Sequence, residues 1–215
     1  MILVIKLAFP MDTVLPKHIT VSETFILESL TLKDEEEGRL DGKLLFDALK
    51  LFGKKPIYYY FRTERELLML SDVFRNSGYR YIHLSCHGQR ECFSFTLNKV
   101  SFTRFAEIFK EKLDNRRLFI SGCELGNREL ADAVFGQNGG MYSVIAPKRP
   151  INFDQSLVLW TSFYYRMYAY SRVEMKKDQL TDELNQLSKL FEIEMSYFWK
   201  NTKTKGISSA DFPLP

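Results

Sequence analysis

The spacing of apolar residues changes period repeatedly along this chain, in strand–helix order. Residues 40–52 place Leu44, Leu45, Ala48, Leu49 and Phe52 on one helical face, closed by Gly53. Residues 56–61 form a short apolar run that predicts a strand. Helical spacing returns over 64–76 through Leu67, Leu68, Leu70, Val73 and Phe74, ending at Gly78, and 79–85 reads as the next strand. Residues 93–100 predict a small exposed hairpin about Asn98-Lys99, and Ser101 caps a helix over 102–113. Then come a buried strand at 117–121, a helix at 128–135, a strand at 141–146, and helices near 153–170 and 178–199. Upstream, 1–9 and 19–32 are rich in β-branched and apolar residues about a Pro-bearing turn and predict an N-terminal β-hairpin. The acidic run Asp34-Glu35-Glu36-Glu37 reads as a solvated loop leading into a helix. This order predicts an α/β fold with a mostly parallel central sheet flanked by helices. Such folds carry their chemistry beyond the carboxyl ends of the strands.

Composition narrows the class. With 215 residues, 45% hydrophobic and 14% aromatic, the chain can bury a core of its own. A single domain over 1–200 is expected. Residues 201–215 turn to Lys, Thr, Gly and Ser before Ala-Asp-Phe-Pro-Leu-Pro and read as a flexible tail. The 30 basic and 27 acidic side chains give a net +3 spread along the chain. No basic stripe is concentrated enough for a phosphate backbone, so direct nucleic-acid binding is not expected. The apolar start has no basic lead-in and reaches Pro10 and Asp12 early. No stretch attains the roughly 18 apolar residues of a spanning helix. A cytoplasmic protein without a membrane partner is the expectation. The 3 cysteines, irregularly spaced, do not describe a disulfide framework and fit a reducing compartment.

Two predicted strands end in reactive residues: Tyr81-Ile82-His83-Leu84-Ser85-Cys86-His87-Gly88, and Arg117-Leu118-Phe119-Ile120-Ser121-Gly122-Cys123-Glu124-Leu125-Gly126. In one parallel sheet, His87 and Cys123 emerge at the same edge, as a Cys–His dyad requires. Gly88, with freedom of backbone angle, and the Cys123 N–H could form an oxyanion hole. The helix after Cys123 would favour thiolate through its dipole, opposed by Glu124.

His83 to Gly88, the hairpin and helix that follow, and Ile120 to Gly126 resemble the CHAT branch of the caspase-like cysteine peptidases. The resemblance continues through Tyr142 to Ala146, Asp154 and Phe163-Tyr164-Tyr165, and covers roughly residues 40–200. It implies a caspase-like three-layer sandwich, with Cys123 as nucleophile and His87 as general base of a thiol endopeptidase that cuts a specific protein and needs no cofactor. It also implies an activating or sensor protein partner and a role in bacterial antiviral defence or regulated cell death. Two residues before the nucleophile, Ser121 offers neither the Asp nor the Gln that metacaspases and caspases carry there, so the preferred residue stays open. Ser121 and Arg62 are candidate pocket residues.

Other readings are available for the same residues. Cys86 lies on the opposite strand face from its neighbours and packs; His83 reads as buried structure and Cys92 as hairpin packing. A zinc site from His83, Cys86, His87 and Cys92 would be scattered by strand alternation, so no metal is expected. Asp154 is either an orienting partner of His87 or, more simply, a helix N-cap. The aromatic cluster from Trp160 to Tyr170 is expected to pack mostly in the core, with an exposed patch that docks a partner as the alternative. A catalytically silent caspase-like fold serving as an assembly subunit is the alternative to the enzyme.

Overall fold

Side chains of the central strands alternate between two apolar cores, so both faces of one sheet are covered. The computed structural model describes residues 20–201 and 203–213. On β1 (Val21–Ser29), Phe25 and Leu27 enter one core while Ile26 enters the other. On β3 (Tyr79–Gln89), Ile82, Leu84 and Cys86 oppose Tyr81 in the same way; on β6 (Arg117–Ser121), Leu118 and Ile120 oppose Phe119; on β7 (Ser143–Pro147), Val144 and Ala146 oppose Ile145. Strands buried on both faces read as nearly continuous apolar runs, as these do.

The first core is closed by α3 (Glu64–Ser77), α4 (Phe102–Ile108) and α5 (Arg128–Gln137). The second is closed by α2 (Asp41–Leu51), α6 (Phe153–Ala169) and α7 (Lys177–Phe191). Trp160, Phe163 and Tyr164 are fully buried there, as expected of core aromatics, whereas Tyr165 and Tyr170 are exposed. With β2 (Ile57–Tyr60), β8 (Met195–Lys200) and β9 (Ile207–Phe212), the strand order is β2-β1-β3-β6-β7-β8-β9. Pairing is parallel from β2 to β7 and antiparallel from β7 to β9. The result is an α/β fold with a mostly parallel central sheet flanked by helices. The hairpin β4 (Cys92–Ser94) and β5 (Lys99–Ser101) extends from the end of β3. Among the described residues, no helix is long and apolar enough to cross a membrane.

Four expectations change. The N-terminal hairpin falls partly on 1–9, outside the described residues. Its described half, β1, is an interior strand whose edges at Phe25–Glu28 are both filled by parallel neighbours. The helix from Ser101 stops at Ile108, and turns with Glu111 and Asn115 at positive φ lead to β6. The helix expected to reach Trp199 ends at Phe191, where Glu192 adopts φ 55° without a glycine to announce it. Met195–Lys200 then forms β8, burying Met195 and Tyr197 in the second core and Phe198 in the first. The tail is not free over Ile207–Phe212: it is β9, paired along β8, with Phe212 buried.

One buried carboxyl fixes where α2 begins. Glu28, fully buried on β1, accepts from the Gly42 N–H at 2.7 Å, the Lys43 N–H at 3.2 Å and the Tyr58 hydroxyl at 2.7 Å. Burial pushes its pKa up to about 7, only partly offset by the Tyr58 hydrogen bond. A raised carboxyl contributes its stability in full below about pH 4.5 and loses it as pH rises through about 7. Glu28→Gln carries no such dependence. Its urea midpoint relative to wild type is therefore expected to be higher at pH 8 than at pH 5; an offset unchanged with pH would refute the assignment.

Candidate active site

Parallel pairing of β3 with β6 sets Leu84 against Ile120 and Ser85 against Ser121. Their pairing therefore stops at Ser85 and Ser121, where β6 ends while β3 runs on to pair with β4, and the residues just beyond that point share one edge. There His87 and Cys123 line a single narrow cleft of about 30 Å³ with Leu30, Asp41, Ser121 and Ser156 among its walls.

The imidazole of His87 is held from a direction that the sequence did not announce. Its Nε2 lies 2.8 Å from Asp34 Oδ2, and Asp34 is almost buried. The acidic run is not a solvated loop at this point: Leu32–Glu36 forms the short helix α1, with Thr31 as its N-cap. The Asp34 N–H donates to Thr31 Oγ1 at 3.2 Å, while Asp34 Oδ2 accepts from the Thr31 N–H at 3.3 Å and from the Thr31 hydroxyl. Burial works to raise the Asp34 pKa, but the hydrogen bonds from Thr31 and His87 outweigh it and hold the carboxyl below its ordinary value. Asp34 is thus a carboxylate facing Nε2. A proton held on Nε2 toward it leaves the Nδ1 lone pair as the basic site. Phe153 stands edge-on to the ring at 5.7 Å between centroids.

Arg62 does not line this cleft. Its guanidinium pairs with Glu35, Nε to Oε1 at 3.1 Å, and Tyr60 donates to the same oxygen at 2.7 Å. Arg62 and Tyr60 therefore anchor α1, and with it Asp34. Asp154 is exposed in the first turn of α6 and is neither an orienting partner of His87 nor the cap; Asn152 is the N-cap, and its N–H donates to Gln155 Oε1 at 3.1 Å.

The sulfur of Cys123 sits against the loop after β7. Its thiol donates to the Ile151 carbonyl at 3.5 Å and accepts from the Ile151 N–H at 3.4 Å, so it makes no direct hydrogen bond to His87 here. Glu124, at φ 57°, turns the chain sharply after the cysteine, and its N–H reaches the Arg149 carbonyl at 3.4 Å. Asn127 fastens this turn from below, donating through Nδ2 to the Glu124 carbonyl at 2.9 Å. Asn127 also caps α5, accepting from the Leu130 N–H at 2.9 Å. Asn127 thus satisfies one N–H of the first turn of α5, and the turn 124–127 stands between that terminus and Cys123. The Cys123 N–H has no protein acceptor among the described residues.

Gly88 remains in strand conformation opposite Phe93 and does not use a left-handed backbone. Its small size serves close packing: an added Cβ would lie 2.4 Å from the Cys123 carbonyl oxygen and 2.5 Å from Leu125 Cγ. Ser121 is buried in the cleft wall, its hydroxyl 2.7 Å from His83 Nε2. His83 is enclosed by Tyr164 and Trp160, and burial drives its pKa down to about 3, so it stays neutral. Burial raises Cys86 well above an ordinary thiol. Cys92 is half-buried in the hairpin, its thiol 3.7 Å from Gln89 Oε1. No group of His, Cys, Asp and Glu able to hold a metal ion gathers among the described residues.

The residues that sequence patterns missed are Asp34, Asp41, Ile151 and Ser156. Thr31-x-x-Asp34 was the available signal for the first, since a reciprocal cap turns its side chain inward. The others come together only through tertiary packing.

No family model matches this sequence, and no curated protein matches it. Solved structures similar to it include the complex of Porphyromonas gingivalis RgpB pro- and mature domains, at 16% identity and a TM-score of 0.48 over 70% of this chain. Another is the Arg-specific cysteine proteinase gingipain R, at 14% identity and a TM-score of 0.49 over 71% of this chain. This chain spans 39% of the length of each of those chains.

The close approach at Gly88 is testable. Gly88→Ala is expected to destabilise the fold by about 1–3 kcal/mol and to alter alkylation of Cys123 by iodoacetamide, read by denaturation and by mass spectrometry. Unchanged stability and unchanged alkylation would mean that the two loops are not locked together.

Proposed function

We propose that this chain is a caspase-like cysteine endopeptidase in which Cys123 attacks the scissile carbonyl and His87 is its general base. The observation that carries the reading is the Asp34 carboxylate on His87 Nε2, which leaves Nδ1 basic in the cleft that also holds the Cys123 sulfur. His87 Nδ1 takes the thiol proton, and the Ile151 N–H offers a hydrogen bond to the resulting thiolate. Attack forms a C–S bond and pushes the carbonyl electrons onto oxygen, toward the uncommitted Cys123 N–H, with the Gly88 N–H as second donor. Collapse of the adduct breaks the C–N bond, and His87 returns its proton to the departing amine. Water, deprotonated by His87, then hydrolyses the thioester and frees the thiol. The Asp34–His87 pair is an orienting device of the kind that fixes tautomer and ring angle in other nucleophile–base sites.

The thiol resting on the Ile151 carbonyl, instead of on His87, favours a latent state. This supports the part of the proposal that assigns activation to a protein partner, which would shift the loop that holds the sulfur. The cleavage of a specific protein in bacterial defence or regulated cell death follows from the resemblance of the His87 and Cys123 segments to the CHAT branch. A silent assembly subunit is the competing reading, and the same latent contact is the observation in its favour.

Labelling with a library of peptide acyloxymethyl ketones, with and without co-expressed neighbouring proteins, separates the two. The expected adduct is on Cys123, absent in Cys123→Ala and slowed about 10²-fold or more in His87→Ala. Asp34→Asn, which keeps the shape of the side chain but removes its charge, is expected to slow labelling of the folded protein about tenfold or more. Absence of any adduct under both conditions would favour the silent subunit.

A further inference from the structure

The cleft contains an acid that the proposed chemistry does not use. Asp41, the first residue of α2, lines the same cavity as Cys123 and is only 7% exposed. Its orientation is fixed from both sides: Ser85 donates to Oδ1 at 2.6 Å and Ser156 donates to Oδ2 at 2.9 Å. Behind it stands Glu28, which the Ser85 hydroxyl also approaches, at 3.4 Å. Neither carboxyl forms an ion pair among the described residues, although the nearby Asp34 and Glu35 are both matched by Arg39 and Arg62. Burial raises the pKa of Asp41, as an enclosed carboxyl without a counter-cation requires.

The path from the sulfur to this acid is continuous. Gly122 and Ser121 precede the nucleophile and Cys86 precedes the base, and all three share the cavity wall with Asp41 and Ser156. A side chain on the acyl side of the cut bond would enter along that wall, widening a cleft of about 30 Å³ as it does, while its carbonyl faced Cys123. Here the wall carries an oriented acid and two hydroxyls, and the missing element is a positive charge.

We infer that Asp41 is the specificity-determining residue of this site and that, with Ser121 and Ser156, it receives an Arg or Lys side chain on the acyl side of the scissile bond. This rests on the peptidase reading for its placement relative to the bond, but the acidic subsite itself does not. An entering guanidinium or ammonium favours the ionised form of a carboxyl already held in place, makes charge-assisted hydrogen bonds to it, and removes the isolation of the buried pair. Ser121, which cannot supply the charge itself, shapes the wall while α2 supplies it.

The test uses acyloxymethyl ketones that differ only in the residue next to the warhead: Arg, Lys, norleucine or Asp. Wild type is expected to react with the Arg and Lys probes at least about tenfold faster than with norleucine, as one charge-assisted contact implies. Asp41→Asn is expected to bring them to the norleucine rate, and Asp41→Glu to retain a basic preference. Labelling of Cys123 without that preference, or a preference surviving in Asp41→Asn, would overturn the inference. A second measurement omits the chemistry: in Cys123→Ala, calorimetry compares N-acetyl-arginine amide with N-acetyl-norleucine amide. Tighter binding of the arginine amide, lost on adding Asp41→Asn, supports the subsite; equal binding overturns it. If no probe labels Cys123 yet the arginine amide still binds through Asp41, the peptidase reading falls and the basic subsite stands.

Discussion

Everything at this site depends on the register between β3 and β6. Because the pair is parallel and in step, with Ser85 beside Ser121, two segments distant in the sequence reach the same height at one sheet edge. A shift by one residue would turn Ser121 toward the opposite core and carry Cys123 off the cleft, since side chains alternate strictly. That register is enforced from both faces at once. Ile82, Leu84, Leu118 and Ile120 are committed to one core, and Tyr81 and Phe119 to the other. The buried His83–Ser121 bond pins the two strands next to the cleft.

The polar groups beneath the cleft form a second layer of constraint. Glu28 on β1 holds the first turn of α2, Ser85 on β3 touches both buried acids, and Ser156 on α6 completes Asp41. These contacts join β1, β3, α2 and α6 at one point, where the second core meets solvent. A hydrophobic packing of the same elements would leave their relative heights less defined; directional hydrogen bonds fix them.

Much of this was legible in the sequence and some was not, for identifiable reasons. The positions of His87 and Cys123 were readable because the buried apolar run of each parallel strand gives way there to small and polar residues, although β3 itself runs on to Gln89. Cys86 was assigned to packing by alternation and His83 by its place inside the strand, and both are buried. Asp34 was hidden by its neighbours: in Asp34-Glu35-Glu36-Glu37 four acids look alike, and only a cap that spans three residues singles one out. The strand β8 was hidden by its burial, since Met195 to Trp199 is apolar on both faces and has no period of its own. The tail was misjudged from composition, which does not register that β8 presents an edge for Ile207–Phe212 to complete.

Asp34 and Cys123 follow β1 and β6, and His87 stands on the last part of β3, so the trio comes from three adjacent strands encoded in the first part of the chain. The residues that roof the cleft, Ile151 to Phe153 and Ser156, follow β7 and belong to the later part. The proposed proton path and its cover are thus separate stretches of sequence that meet only in space. Insertions or replacements after β7 could remodel who gains entry, and how readily, while the residues of the proposed proton path are inherited unchanged.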